Sequence, residues 1–155
     1  MGKYSVLIIL FVIAAAAAAY FFWGMSRPQT YRKATVNLKD AIFKVDVAET
    51  MAARTQGLSG RPGLSEGEGM LFIFPDYGMQ GFWMKDMLFP IDIIWIKDDA
   101  VTGVAHSVSP QAEKSIFNLD VFYPPEPINR VLEVRAGTAE RLGLKAGDRV
   151  IVEME

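Results

Sequence analysis

The sequence predicts an α+β fold, a mostly antiparallel β-sheet or small β-barrel with short helices, preceded by one N-terminal transmembrane or signal helix. Three observations carry this. Short runs rich in Ile, Val, Phe and Trp recur between Pro, Gly and Asp turns from residue 42 to residue 107. Near the C-terminus a strand, a short helix, a glycine turn and a second strand follow in order. The chain opens on an uncharged apolar stretch, Tyr4 to Trp23.

At 1.5 Å per residue that stretch reaches across a hydrocarbon core of about 30 Å. Tyr4 at one end and Tyr20 and Trp23 at the other suit the two membrane interfaces. Lys3 and the small residues Ala17-Ala18-Ala19 also fit a cleavable signal, but the apolar run exceeds the ~7–15 residues of a signal core, which favours an uncleaved anchor. The expected partner is therefore a membrane, held through residues 4–23. Arg27, Arg32 and Lys33 after the segment outnumber Lys3 before it, which read literally keeps the domain in the cytoplasm. A short amino tail with one Lys is nonetheless common on export signals, and the domain is expected on the exported, periplasmic or extracytoplasmic, side. Residues 1–25 are then the anchor or signal, 26–33 a linker around Pro28, and 34–155 a single β-rich domain.

Within the domain, Ile42 to Val47 alternates apolar and polar residues and predicts a strand, and Glu49 to Gly57 a short helix ended by its glycine. Leu58 to Glu68 is a Gly-, Ser- and Pro-rich loop. Strands are predicted at Met70–Phe74, Gly81–Lys85, Ile91–Ile96 and Ala100–Ser107, with Asp98-Asp99 as a hairpin turn. Pro110 to Pro127 is irregular and contains the extended Tyr123-Pro124-Pro125. Arg130–Val134 is a strand, Gly137–Leu142 a helix, and Gly147-Asp148 a turn into the strand Arg149–Val152.

Composition excludes several chemistries. There is no cysteine, hence no thiolate nucleophile, disulfide or Cys-ligated metal. His106 is the only histidine, so a histidine cluster is impossible, and Ser107 beside it lies in no Gly-x-Ser-x-Gly elbow. Met79, Met84 and Met87 could offer thioethers to Cu(I), but methionines among aromatics read better as packing, and no metal or cofactor is expected. Twelve basic and eighteen acidic residues follow position 33, without a basic stripe, which argues against nucleic acid as a partner.

Several ordered blocks resemble a known family. They are Arg54-x-x-Gly57-Leu58-x-x-Arg61, Gly69-Met70-Leu71-Phe72-x-Phe74, Phe82-Trp83-Met84-Lys85-Asp86-Met87 with Pro90-Ile91-Asp92, Val131-Leu132-Glu133-Val134, Ala136-Gly137 and Gly147-Asp148. Together they cover about residues 42 to 152 and resemble the bacterial and archaeal domain-of-unknown-function family 192. The resemblance implies a compact, mostly antiparallel β domain, often behind a signal or membrane segment, and no established activity. Asp86 stands where the family more often has a small amide.

The candidate ligand-binding cleft is formed by Arg54, Arg61, Trp83, Lys85, Asp92 and Glu133. Arginines flanking a loop can hold a carboxylate or phosphate by paired hydrogen bonds, although pinning that loop through carbonyls or Asp86, Asp92 or Glu133 is the commoner use. In a strand Phe82 and Met84 face the core while Trp83 and Lys85 face outward, so Trp83 can stack on a ligand or lie half-buried under Tyr123-Pro124-Pro125. Asp92, between apolar neighbours, needs a partner if buried. Asp148 after Gly147 reads as a turn residue. The expected function is a non-enzymatic, membrane-tethered or exported binding or accessory module for a small anionic ligand, a peptide or an envelope polymer. The alternatives are an envelope hydrolase or transferase, with Asp92 or Glu133 as base and Arg61 or Lys85 stabilising charge, and a structural partner of a membrane complex.

Overall fold

The computed structural model describes residues 10–17, 30–115 and 117–155. The chain divides into two units, residues 1–30 and residues 31–155. In the first, residues 10–17 are helical and exposed, and the rest of the expected membrane segment lies outside the described residues. Among the described residues no helix is long and apolar enough to cross a membrane.

The second unit is built from β1 (Arg32–Leu38), β2 (Ala41–Ala48), α1 (Met51–Gln56), β3 (Glu68–Gly78), β4 (Phe82–Trp83), β5 (Ile91–Lys97), β6 (Ala100–Val108), β7 (Val121–Phe122), β8 (Ile128–Arg135), α2 (Thr138–Arg141) and β9 (Val150–Met154). Seven strands form one sheet in the order β6-β5-β8-β3-β2-β1-β9, and β4 and β7 form a separate ribbon. Only β2 and β3 run parallel within it. Parallel neighbours cannot be joined by a hairpin, and the crossover between them carries α1 and the glycine-rich loop.

The sheet is α+β and mostly antiparallel, but it does not close into the barrel that the strand pattern also allowed. Its outer strands meet at a single bridge, Ala100 with Arg149, and pair no further. There the Gly147-Asp148 turn is clasped against β6: Val101 N–H donates to the Asp148 carbonyl at 2.9 Å, and Gly147 N–H to the Val101 carbonyl at 2.8 Å.

Both faces of the sheet are covered, which explains why Ile91 to Ile96 are buried without a break. On the inner face Ala34, Val36, Val45, Val47, Leu71, Ile94, Leu132 and Val134 form one core, plugged by Ala139 and Leu144 at α2 and the turn after it. On the outer face Met70, Phe72, Ile93, Trp95 and Val131 form a second, covered by Ala53 of α1, Leu58, Phe82, Met84 and Met87. β1 begins at Arg32, and its inward residues Ala34, Val36 and Leu38 recur at period two. The strand expected over Gly81–Lys85 shortens to Phe82–Trp83 because Asp86 takes a left-handed φ of 54° and turns the chain. Asp is among the non-glycine residues that enter this region most readily, which suits Asp86 to the turn.

Candidate functional site

The outer face carries the site. Thr50 caps α1 by accepting a 3.1 Å hydrogen bond from the Ala53 N–H, and the helix stops at Gly57, whose φ of 50° disfavours a side chain. α1 thereby lies over β3. Facing it, Phe82 of β4 meets Phe72 edge-on with ring centroids 5.0 Å apart, and Phe74 at 6.3 Å. Behind them the loop after α1 is tied to the turn after β4, where Ser59 Oγ donates to the Lys85 carbonyl at 2.8 Å and Gly60 N–H to the Asp86 carbonyl at 2.9 Å.

Between α1 and β4 these elements leave a pocket of about 190 Å³, walled by Leu58, Phe72, Phe74, Phe82 and Met87, with Arg54 and Trp83 among its lining residues. Glu133 of β8 also lines it and is only 5% exposed. Its position is fixed by β3: Glu133 is paired with Met70, and a Cβ on the neighbouring Gly69 would come within 2.7 Å of the Glu133 carbonyl oxygen, so only glycine permits this approach. The Glu133 carboxyl has no hydrogen-bond partner among the described residues. Burial pushes it up to about 8, against a smaller opposing pull from the Arg61 charge.

The structure brings Arg54, Trp83 and Glu133 of the candidate cleft together and separates the other three. Arg54 is tied by its Nη1, which donates to the Glu49 carbonyl at 2.6 Å and the Ile73 carbonyl at 3.0 Å, while its guanidinium lies over Phe74 at 5.1 Å. Trp83 is 51% exposed. Across the ribbon Trp83 is paired with Val121. Tyr123 sits where a side chain on Gly81 would be, and Pro125 sits over Gly103 beside Trp95, whose indole N–H is buried without a partner among the described residues.

Arg61 turns instead to β2, donating to Asp46 at 2.7 Å and lying over the Tyr31 ring at 5.4 Å. Lys33 holds the other oxygen of the same carboxylate. Burial alone would raise the Asp46 carboxyl, but hydrogen bonds from Lys33 and Arg61, with their charges, hold it below the usual range. Arg54 and Arg61 therefore form no shared anion site. Lys85 is exposed beside Asp86 at 3.5 Å.

Asp92 is fully buried, on the inner face of the sheet and away from the pocket. It accepts hydrogen bonds from the backbone N–H of Ser107 at 2.7 Å, Gly137 at 3.3 Å and Ala139 at 2.7 Å. A carboxylate so engaged fastens β6 and α2 to β5. Asp148 likewise serves its turn, accepting from Lys145 N–H at 2.8 Å and pairing with Lys39 at 3.1 Å. His106 and Ser107 are exposed at the end of β6. Met84 and Met87 are core residues while Met79 is exposed. Among the described residues no cluster of acidic and histidine side chains suits a metal ion. The residues that line the pocket but escaped the sequence reading are chiefly Leu58, Phe72, Phe74, Phe82 and Met87, which look like ordinary core until α1 and β4 are placed.

Comparison with known proteins agrees with this architecture. A protein from Sinorhizobium meliloti carrying a provisional description as a transcription regulator is 30% identical, with a TM-score of 0.73, over 81% of this chain and 98% of its own. A protein of unknown function from Novosphingobium aromaticivorans is 32% identical, with a TM-score of 0.67, over 77% of this chain and 83% of its own. Among curated proteins none matches. The model of the family DUF192, described as an uncharacterized ACR, matches residues 33–152, and the chain belongs to that family.

Proposed function

We propose that the domain is a ligand-binding module whose site is the pocket between α1 and β4, and that it does not catalyse a reaction. The observation that carries this is Glu133: a residue only 5% exposed, lining an apolar pocket, its carboxyl bonded to no protein group among the described residues. A carboxyl that faces an apolar pocket with no protein partner is poorly solvated, and a ligand that bonds to it relieves that cost. Concave apolar sites with a few converging polar groups are the usual form of small-ligand pockets. The half-exposed Trp83 offers a ring for stacking at the same place.

A hydrolase reading has less support. Among the described residues Glu133 is the sole carboxylate lining the pocket, whereas glycoside hydrolysis in most families needs two, and Asp92 is committed to backbone N–H groups. The regulator description of the Sinorhizobium meliloti relative is not carried over, because the excess of eighteen acidic over twelve basic residues after position 33 argues against a nucleic-acid partner. As part of the same reading, residues 4–23 tether the module to a membrane with the domain on the exported side. The support for this is their length, lack of charge and flanking aromatics.

The test is a thermal-shift screen of the full chain against sugars, short peptides, amides, organic acids and envelope fragments, since any ligand of the folded state raises the melting temperature. A hit reduced at least tenfold in affinity by Trp83→Ala, with the protein still folded, supports the pocket. A hit indifferent to Trp83→Ala and Glu133→Leu places binding elsewhere. Carbonate extraction of native membranes tests the tether, which fails if the chain is released.

A further inference from the structure

We propose that the ligand of this pocket is uncharged and presents an acceptor oxygen, a carbonyl or ether carried on a compact apolar body, to the carboxyl O–H of Glu133. The inference rests on the pocket being the binding site and goes further by naming what the site selects.

Three features converge on an uncharged acceptor. The first is the state of Glu133 itself. Burial raises it to about 8, so near neutrality the group is mostly the protonated acid, a donor with no acceptor among the described residues. The second is the electrostatic setting. Arg54 stands in the pocket wall, and Arg61 is close enough to act on Glu133. On the same face of the sheet, in the row Lys33, Asp46, Met70, Glu133, the one acid besides Glu133 is Asp46, and Lys33 and Arg61 both bind it. The charged groups around Glu133 thus sum to a positive field that opposes a cationic ligand. The Phe74 face that could cradle a cation is already covered by the Arg54 guanidinium at 5.1 Å.

The third feature is the wall. Leu58, Phe72, Phe82 and Met87 are apolar; of the uncharged polar side chains that complete the lining, Thr55, Gln56 and Ser59, Gln56 donates to the Ser59 carbonyl and Ser59 to the Lys85 carbonyl, and Arg54 Nη1 is given to two backbone carbonyls. A carboxylate pressed against Glu133 would be desolvated next to an acid that resists ionisation. The volume of about 190 Å³ exceeds the roughly 150 Å³ of an apolar cavity known to admit benzene, so a single ring or a branched chain fits beside the acceptor.

The experiment is a titration of the full chain with three probes of one shape, benzamide (uncharged), benzamidinium (cationic) and benzoate (anionic), at pH 6.5 and pH 9. Benzamide is expected to bind best, and about tenfold more weakly at pH 9 than at pH 6.5 as Glu133 loses its proton. Glu133→Gln keeps a donor at every pH and should bind benzamide without the pH dependence. Glu133→Leu should not bind it, and circular dichroism and the melting temperature establish that each variant is folded. Benzamidinium binding that tightens toward pH 9, or benzoate binding more tightly than benzamide, overturns the inference while leaving the pocket as a ligand site. If none of the three binds but the wider screen yields a ligand sensitive to Trp83→Ala, this inference alone is lost. Silence in both removes the site as well.

Discussion

Asp92 and Ala139 are joined by a 2.7 Å hydrogen bond in which the Ala139 backbone N–H donates to the buried carboxylate. Gly137, the residue before α2, has no side chain with which to cap it, and Asp92 of β5 supplies the missing acceptor from across the fold. Its second oxygen also receives Ser107 N–H where β6 adopts a positive φ of 48°. Asp92→Asn replaces one acceptor oxygen by an NH2 group that faces a donor, so at least one N–H is orphaned. The expected cost is about 2–3 kcal/mol, the scale of a hydrogen bond to a charged group, read as a lower urea midpoint at unchanged m-value. Pocket affinity should be unchanged. A loss of affinity at intact stability would return Asp92 to the site.

Arg61 and Lys33 share the Asp46 carboxylate, and this arrangement has a pH signature. Because Asp46 is held below its unfolded value, it contributes stability that is present above the usual carboxylate range and is lost as pH falls through the folded value. Arg61→Ala leaves Lys33 as the remaining partner. The expected cost at pH 7 is about 1 kcal/mol, discounted because the Arg61 and Lys33 side chains are 31% and 62% exposed. Acid unfolding should begin at higher pH in the variant. A double-mutant cycle with Asp46→Asn isolates the pair, and a coupling indistinguishable from zero would refute it.

How much of this was legible before the fold was known depends on which neighbours a residue needs. Ile91–Ile96 and Arg130–Val134 announce themselves as strands because burial on both faces leaves few polar residues in them. β1 was harder. Its period-two signal rests on small or moderate residues, Ala34, Val36 and Leu38, interleaved with Thr35 and Asn37, and it begins within the stretch expected to be linker. The sheet's failure to close depends on where the 98–99 and 147–148 turns meet, which no local pattern encodes. Of the six candidate residues, Arg54, Trp83 and Glu133 share a pocket only because β3 pairs with β8 and α1 folds back over it. Arg61 looked equivalent to Arg54, seven positions earlier. The choice of Asp46 as its partner depends on the parallel β2–β3 pairing, whose register cannot be read from spacing.

Trp83 separates packing from recognition. Its ring is 51% exposed while Phe82 beside it is buried, so the two should respond oppositely to truncation. Trp83→Ala is expected to change stability by less than about 1 kcal/mol, whereas Phe82→Ala, which removes the ring packed on Phe72 and Phe74, should cost about 3–5 kcal/mol. Chemical denaturation of the two variants decides. A Trp83→Ala loss as large as that of Phe82→Ala would make the indole part of the core and remove it from the pocket mouth.

Glu133 gives the fold a stability profile opposite in sign to that of Asp46. A carboxyl raised from 4.5 to about 8 holds its proton in the native state after the unfolded chain has released it. Between those values the native state binds the extra proton, so stability falls as pH rises, and it levels off above about 8. At 1.36 kcal/mol per pH unit the decline is on the order of 5 kcal/mol, an upper figure, since water entering the pocket lessens the desolvation. Glu133→Gln keeps the shape and removes the charge, so its unfolding free energy should lack this decline and exceed that of the wild type at pH 9. The check is a set of urea titrations of both proteins from pH 5 to pH 9. Parallel curves would show that Glu133 ionises freely, and the site would then hold a solvated carboxylate with no donor to offer an uncharged ligand.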